Sequence, residues 1–160
     1  MVHVVSIADM KVSGNSGDVL ITHALGSCLG IAVYDPIARV GGLLHVMLPL
    51  STVDPERAKE NPYMFVDTGV PRLFLECYKA GAKKQRIIVK VAGGATSYGT
   101  EEDDVFQIGK RNMIMLRKLL WKNGILIEAC DVGGTESRTM SLEIGTGVVT
   151  VRSNGLVKTL

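Results

Sequence analysis

LGSCLGIAVYDPIARVGGLLHVMLP, residues 25–49, reads as two apolar strands joined by a short turn. LGIAVYD (29–35) is apolar and partly β-branched, Asp35-Pro36 turns the chain, and GGLLHVML (41–48) runs back. Two runs so closely connected should pair antiparallel. With the turn centred near residues 37–38, the numbers of facing residues sum to about 75. Cys28 then faces Met47, and His45 faces Gly30. Cys28 and His45 become diagonal neighbours on one face, about 7–8 Å apart between backbones. A slip of one residue would separate them.

The same stretch carries the most specific chemistry in the chain. A thiol and an imidazole on adjacent strands are the minimum equipment for acyl transfer through a thioester, because the thiolate attacks and the ring moves protons. A free cysteine has a pKa of about 8.5 and is mostly thiol at neutral pH, so it needs a base within hydrogen-bond reach. Gly26 and Gly30 permit tight backbone geometry and close substrate approach, and backbone N–H groups around Ser27 and Cys28 are candidate oxyanion donors. A third group should orient His45. Thr22, on the preceding strand, offers its hydroxyl or its backbone carbonyl. His23 is the rival base, and strand alternation turns it to the face opposite Thr22. From spacing alone, an inert buried thiol is the alternative.

Outward from this hairpin, HVVSIADMKVS (3–13) and DVLITHAL (18–25) read as strands around a GNSG turn. STVDPERAKENPYMF (51–65), with prolines at 55 and 62, reads as a surface loop near the site. Asp67 or Thr68 is expected to cap a helix that starts near Val70-Pro71 and ends at Gly81. RIIVKVAGG (86–94) is predicted as a buried strand, residues 106–122 as a second helix, and ILIEACDVGG (125–134) as another strand and glycine turn. RTMSLEI and VVTVR close the chain as a hairpin over Gly145-Thr146-Gly147. The expected class is α+β, with mixed sheets flanked by two main helices in a single domain over residues 1–160.

Composition limits the function. Of 160 residues 46% are hydrophobic and 21% charged, the balance of a globular protein rather than a disordered chain. A formal charge of +2 with scattered cations gives no footprint for nucleic acid. The one basic cluster, Lys83, Lys84 and Arg86, reads as a solvated turn. Three cysteines do not make a disulfide framework, and no apolar run approaches the length of a membrane span. A cytoplasmic setting, in which Cys28 stays reduced, is therefore expected.

Other signals read as structural. Cys77 on a helix stripe and Cys130 in a strand are expected as buried thiols, and His3 as an edge-strand residue. Cys28 and His45 lack a second ligand pair, so no metal is expected. GGATSYG (93–99) lacks the ending of a phosphate loop, and the acidic run Glu101–Asp104 suits the start of a helix. Met47 and Met64 are candidates to line a groove for a partner helix.

Several segments together resemble one family. IADMKV (7–12), T-x-x-LGSC (22–28), GGLLHVMLP (41–49), AGGA (92–95), IGKRN (108–112) and DVGGTESRT (131–139) are similar, in order, to the CheD family of chemoreceptor glutamine deamidases. Departures from its pattern, such as Ala92 where an aromatic residue is common, lie outside the proposed site. The resemblance implies a Cys28, His45 and Thr22 constellation that hydrolyses glutamine side chains on chemoreceptor cytoplasmic helices, without metal or cofactor. It also implies a CheC-type phosphatase as partner and a fold similar to toxin-type cysteine deamidases. Two other classes stay open at this point: a binding module that acts mainly by stimulating the phosphatase, and a cysteine peptidase or transamidase.

Overall fold

A computed structural model describes residues 1–96 and 104–160. The hairpin at its centre has the register expected from sequence. Strands β4 (Leu29–Asp35) and β5 (Val40–Val46) pair antiparallel, with Gly30 opposite His45 and Leu29 opposite Val46. Every residue of both strands is buried. They are covered on both faces, which explains their nearly continuous apolar runs.

Two five-stranded sheets build the rest. One has the order β2 (Asp9–Ser13), β5, β4, β6 (Ile88–Gly93), β7 (Ile127–Val132), with only the β6–β7 pair parallel. The other runs β1 (Val2–Val4), β3 (Val19–Leu25), β8 (Arg138–Glu143), β9 (Val149–Ser153), β10 (Leu156–Thr159), with β1 parallel to β3. Both sheets are mixed, as expected, and with the few helices they make an α+β fold.

Alternation along β4 and β5 sorts their side chains into two cores. Leu29, Ile31, Val33, Leu44 and Val46 pack beneath α2 (Val66–Lys79) and α3 (Ile108–Lys122), against Val70, Leu73, Phe74, Met113, Leu116 and Leu120. Ala32, Tyr34 and Leu43 face the other sheet, against Leu25, Met140, Leu142 and Val151. Each fully buried Leu or Ile contributes about 1.5–3 kcal/mol. The order of layers is therefore sheet, sheet, helices, and His45 lies between the sheets.

Several expectations are corrected. Residues 3–13 are not one strand. The chain breaks at Ser6–Ala8, where Ala8 has φ 56° and the Asp9 carboxylate accepts from the Ser6 N–H. The two halves, β1 and β2, join different sheets, with Val5 buried between them. The expected loop at 51–65 holds a short helix, α1 (Pro55–Glu60), because Asp54 caps the Arg57 N–H and Pro55 occupies the first turn. Helix α2 begins at Val66, so Pro71 lies inside it and neither Asp67 nor Thr68 is the cap. Asp67 instead accepts from the Ser51 N–H and hydroxyl, and Thr68 donates to the Pro62 carbonyl.

At the C-terminus an unexpected strand, β10, follows Asn154-Gly155, both at positive φ, which is the pattern of a type I′ hairpin. The basic cluster is not merely a solvated turn, since Arg86 pairs with the fully buried Asp35 carboxylate at 2.9 Å and Lys83 donates its N–H to it. Cys77 is buried as expected, but Cys130 is exposed on β7, the outermost strand of its sheet. His3 does lie on edge strand β1, beside Asp18. The end of GGATSYG and most of the acidic run fall in residues 97–103, outside the described residues; Asp104 accepts from the Gln107 N–H just before α3. Among the described residues no helix is long and apolar enough to cross a membrane.

Candidate active site

Thr22 and His45 come from different sheets and meet between them. The Thr22 Oγ1 lies 2.7 Å from the His45 Nδ1 and 2.7 Å from the Val5 carbonyl oxygen. A hydroxyl has one proton, and a carbonyl can only accept, so Thr22 donates to Val5 and accepts from the ring. The hydrogen on His45 is therefore on Nδ1, and Nε2 presents a lone pair. That nitrogen is buried and has no hydrogen-bond partner among the described residues. Burial also lowers the His45 pKa to about 4, so the ring is neutral at physiological pH. The sequence left Thr22 a choice between hydroxyl and carbonyl, and the hydroxyl makes the bond.

Just beyond Thr22 the strand bulges. The β3–β8 register shifts between Thr22 and Leu25, and Ala24 has φ 57°. Extra residues at a bulge re-aim a strand end. His23 is left on the exposed face, 3.4 Å from the Thr139 hydroxyl, away from the buried ring of His45.

Cys28 sits in the segment between β3 and β4, half-buried, packed against the core between the sheets. It immediately precedes β4, two residues from the Gly30 that faces His45. Burial raises its thiol pKa, against an opposing effect of its own N–H. Carbonyls fix the segment: Gly26 O accepts from the Ala95 N–H at 2.8 Å and Cys28 O from the Gly94 N–H at 2.9 Å. The Cys28 carbonyl lies so close to Gly93, which has φ 113°, that a Cβ there would collide with it. Gly26 adjoins open space, whereas a Cβ at Gly30 would strike Met140 and Leu25. Gly26 thus has open space where a side chain would be, and Gly30 is a packing requirement.

Two residues that the sequence reading did not assign hold this region. Asn112 on α3, fully buried, donates from Nδ2 to the Ser27 carbonyl at 3.1 Å and the Met47 carbonyl at 3.0 Å, while its Oδ1 is buried with no partner among the described residues. Arg138, also buried, donates to the carbonyls of Gly93, Gly133 and Glu136 and pairs with Asp131. It ties the two glycine turns together. Both residues belong to the segments IGKRN and DVGGTESRT, so the available signal was a polar residue at a core position of an amphipathic pattern. Met47 and Met64 meet through their backbones, Met47 N–H to Met64 O at 2.8 Å. No cluster of three metal-ligating side chains occurs among the described residues.

The family profile for CheD chemotactic sensory transduction matches residues 47–153. The chain belongs to the CheD family. A protein of Syntrophus aciditrophicus named probable chemoreceptor glutamine deamidase CheD 1 is 53% identical over 152 residues, spanning 95% of this chain and 94% of its own. One of Solibacter usitatus, named probable chemoreceptor glutamine deamidase CheD, is 51% identical over 157 residues, 98% of this chain and 92% of its own. A Thermococcus kodakarensis protein of the same name is 40% identical over 155 residues, 96% and 94% of the two chains. The profile match to CheD begins two positions after His45. Thr22, Cys28 and His45 therefore lie in the part spanned by the near-full-length CheD relatives.

Proposed function

We propose that this chain hydrolyses the side-chain amide of glutamines on chemoreceptor cytoplasmic helices to glutamate, releasing ammonia, with Cys28 as nucleophile, His45 as base and Thr22 as the group that fixes the ring. The observation that carries it is the Thr22–His45 bond, which leaves Nε2 as an unpartnered lone pair in the layer where the Cys28 side chain packs. The names of the relatives supply the substrate class.

The resting pair is neutral, because burial disfavours both thiolate and imidazolium. The proton therefore moves in the step itself. His45 Nε2 takes it as sulfur attacks the amide carbon, and N–H groups of Ser27 and Cys28 receive the oxyanion. The imidazolium returns the proton to the departing nitrogen, the C–N bond breaks, and ammonia leaves a thioester. His45 then takes a proton from water, hydroxide adds to the thioester, and expulsion of the thiolate leaves glutamate and a reprotonated Cys28. Gly26 beside open space admits the substrate side chain.

Mass spectrometry of a chemoreceptor cytoplasmic fragment, incubated with wild type beside Cys28→Ala, tests this. Wild type should convert specific glutamines to glutamates, and the variant should lose at least about 10³-fold. Full activity in Cys28→Ala would overturn the assignment, and peptide cleavage or amine incorporation would move the chain to another class. The CheC-type phosphatase rests on the family resemblance, and calorimetric titration of the two purified proteins tests that partnership.

A further inference from the structure

We infer that Asn112 is a positioning residue that sets the separation of the nucleophile and base segments where the sheet itself stops doing so. The inference rests on the proposed Cys28–His45 chemistry. The β4–β5 ladder ends at Leu29 opposite Val46. One step further, at Cys28 and Met47, the strands part company. The Met47 N–H goes to Met64, and the Cys28 carbonyl goes to Gly94. Cys28 thus lies one step beyond the ladder, while His45, opposite Gly30, is its second-last pair, so the sheet alone does not fix the nucleophile against the base.

The Asn112 carboxamide spans that opening. Its two N–H donors take one carbonyl from each side: Ser27, adjacent to the nucleophile, and Met47, two residues past the base. Both contacts are to acceptors, which fixes the amide with nitrogen inward. The third capacity of the group is wasted, since Oδ1 is fully buried and has no partner among the described residues. An apolar side chain of similar size would fill the position without that orphan. What the amide provides is two divergent N–H donors on one nitrogen at the end of a short stem.

Helix α3 can deliver it because Gly109, one turn earlier, lets the helix touch the Gly94-Ala95 backbone directly; a Cβ there would come within 2.6 Å of both residues. That turn also donates its N–H groups to the Cys28 and Gly26 carbonyls. The helix, the glycine turn and the nucleophile segment form one rigid frame, with Asn112 as its link to β5. Misplacing a reacting group by about an ångström costs on the order of 10²-fold in rate.

Asn112→Leu and Asn112→Asp, made in a Cys130→Ser background so that the exposed thiol does not contribute, test the inference. The readouts are the rate and pH profile of Cys28 alkylation by iodoacetamide, kcat and KM on a receptor fragment, and Tm. We expect kcat to fall on the order of 10²-fold with KM nearly unchanged, and the alkylation profile to shift, in both variants. A lower Tm with wild-type kcat and a wild-type alkylation profile would reduce Asn112 to a structural role and overturn the proposal. If the wild type failed to deamidate while the alkylation profile still shifted in the variants, the positioning role would stand and the deamidase reading would fall.

Discussion

At one end of β4 the Asp35 carboxylate is fully buried and fully satisfied, accepting from the N–H groups of Ile37, Ala38 and Lys83 and from the Arg86 guanidinium. At the other end, across from Gly30, His45 is equally buried, yet among the described residues its Nε2 has no partner, and Asn112 nearby leaves an oxygen unpaired. An unmade buried hydrogen bond costs about 1–3 kcal/mol, so the second arrangement is not one that stability favours. The saturated end holds the hairpin turn, and under the proposed mechanism the open end keeps acceptor capacity in reserve for a proton that arrives only during reaction. On the proposed chemistry, the same strand separates a structural anchor at Asp35 from a reactive centre at Cys28, with the buried residues Leu29–Tyr34 between them.

The largest effect that can break this contrast is at the anchor. Asp35→Ala should remove about 3–5 kcal/mol of stability, because the Arg86 charge and three N–H donors lose their acceptor. Deamidation per folded molecule should stay at the wild-type level. Chemical denaturation and kcat, measured on the same preparation, check both halves. A large loss of kcat in the folded variant would show that the two ends are coupled.

Titration separates the ends further. Burial favours the neutral form of Asp35, but the Arg86 and backbone hydrogen bonds outweigh it and hold the carboxyl at about 2. Its contribution is present above the ordinary value of 3.8 and is lost as pH falls through about 2. His45 has a native pKa of about 4 against 6.5 for a free ring, so the unfolded state takes up the proton first. Its contribution is complete above 6.5 and declines as pH falls toward 4, by about 3 kcal/mol in all. Urea melts of wild type and His45→Leu between pH 8 and 3 should differ by that slope, and parallel curves would refute the neutral, buried ring.

Much of the contrast was legible because it follows from local pattern. The alternation in LGIAVYD and GGLLHVML and the short turn between them gave the register that sets His45 opposite Gly30. The break at Ser6–Ala8 was not visible, since both halves alternate like strands and only pairing with different sheets distinguishes them. Asp54-Pro55 and Asn154-Gly155 were readable cap and turn signals, overlooked beneath prolines and a short tail. Cys130 is exposed because β7 is the outermost strand, and in sequence an apolar strand looks the same at a sheet's edge as at its centre. Asn112 and Arg138 act through carbonyls of distant segments, 85 and 65 residues away for Asn112 and 45 for one contact of Arg138. Periodicity cannot identify such partners.

The smallest effect tests the tautomer, on which the open end depends. Thr22→Val keeps the shape of the side chain but removes both hydrogen bonds, leaving the Val5 carbonyl and the His45 Nδ1–H without partners. A neutral ring then has no reason to keep its proton on Nδ1, and the alternative tautomer places hydrogen where the lone pair is needed. Activity should fall about tenfold, the worth of one neutral hydrogen bond, with KM unchanged. Stability should fall by about 1–3 kcal/mol for the groups left unpaired. Thr22→Ser retains the hydroxyl and should recover most of the activity while still losing the methyl packing. If Val and Ser behaved alike in kcat, Thr22 would be filling space between the sheets, and His45 would owe its tautomer to something else.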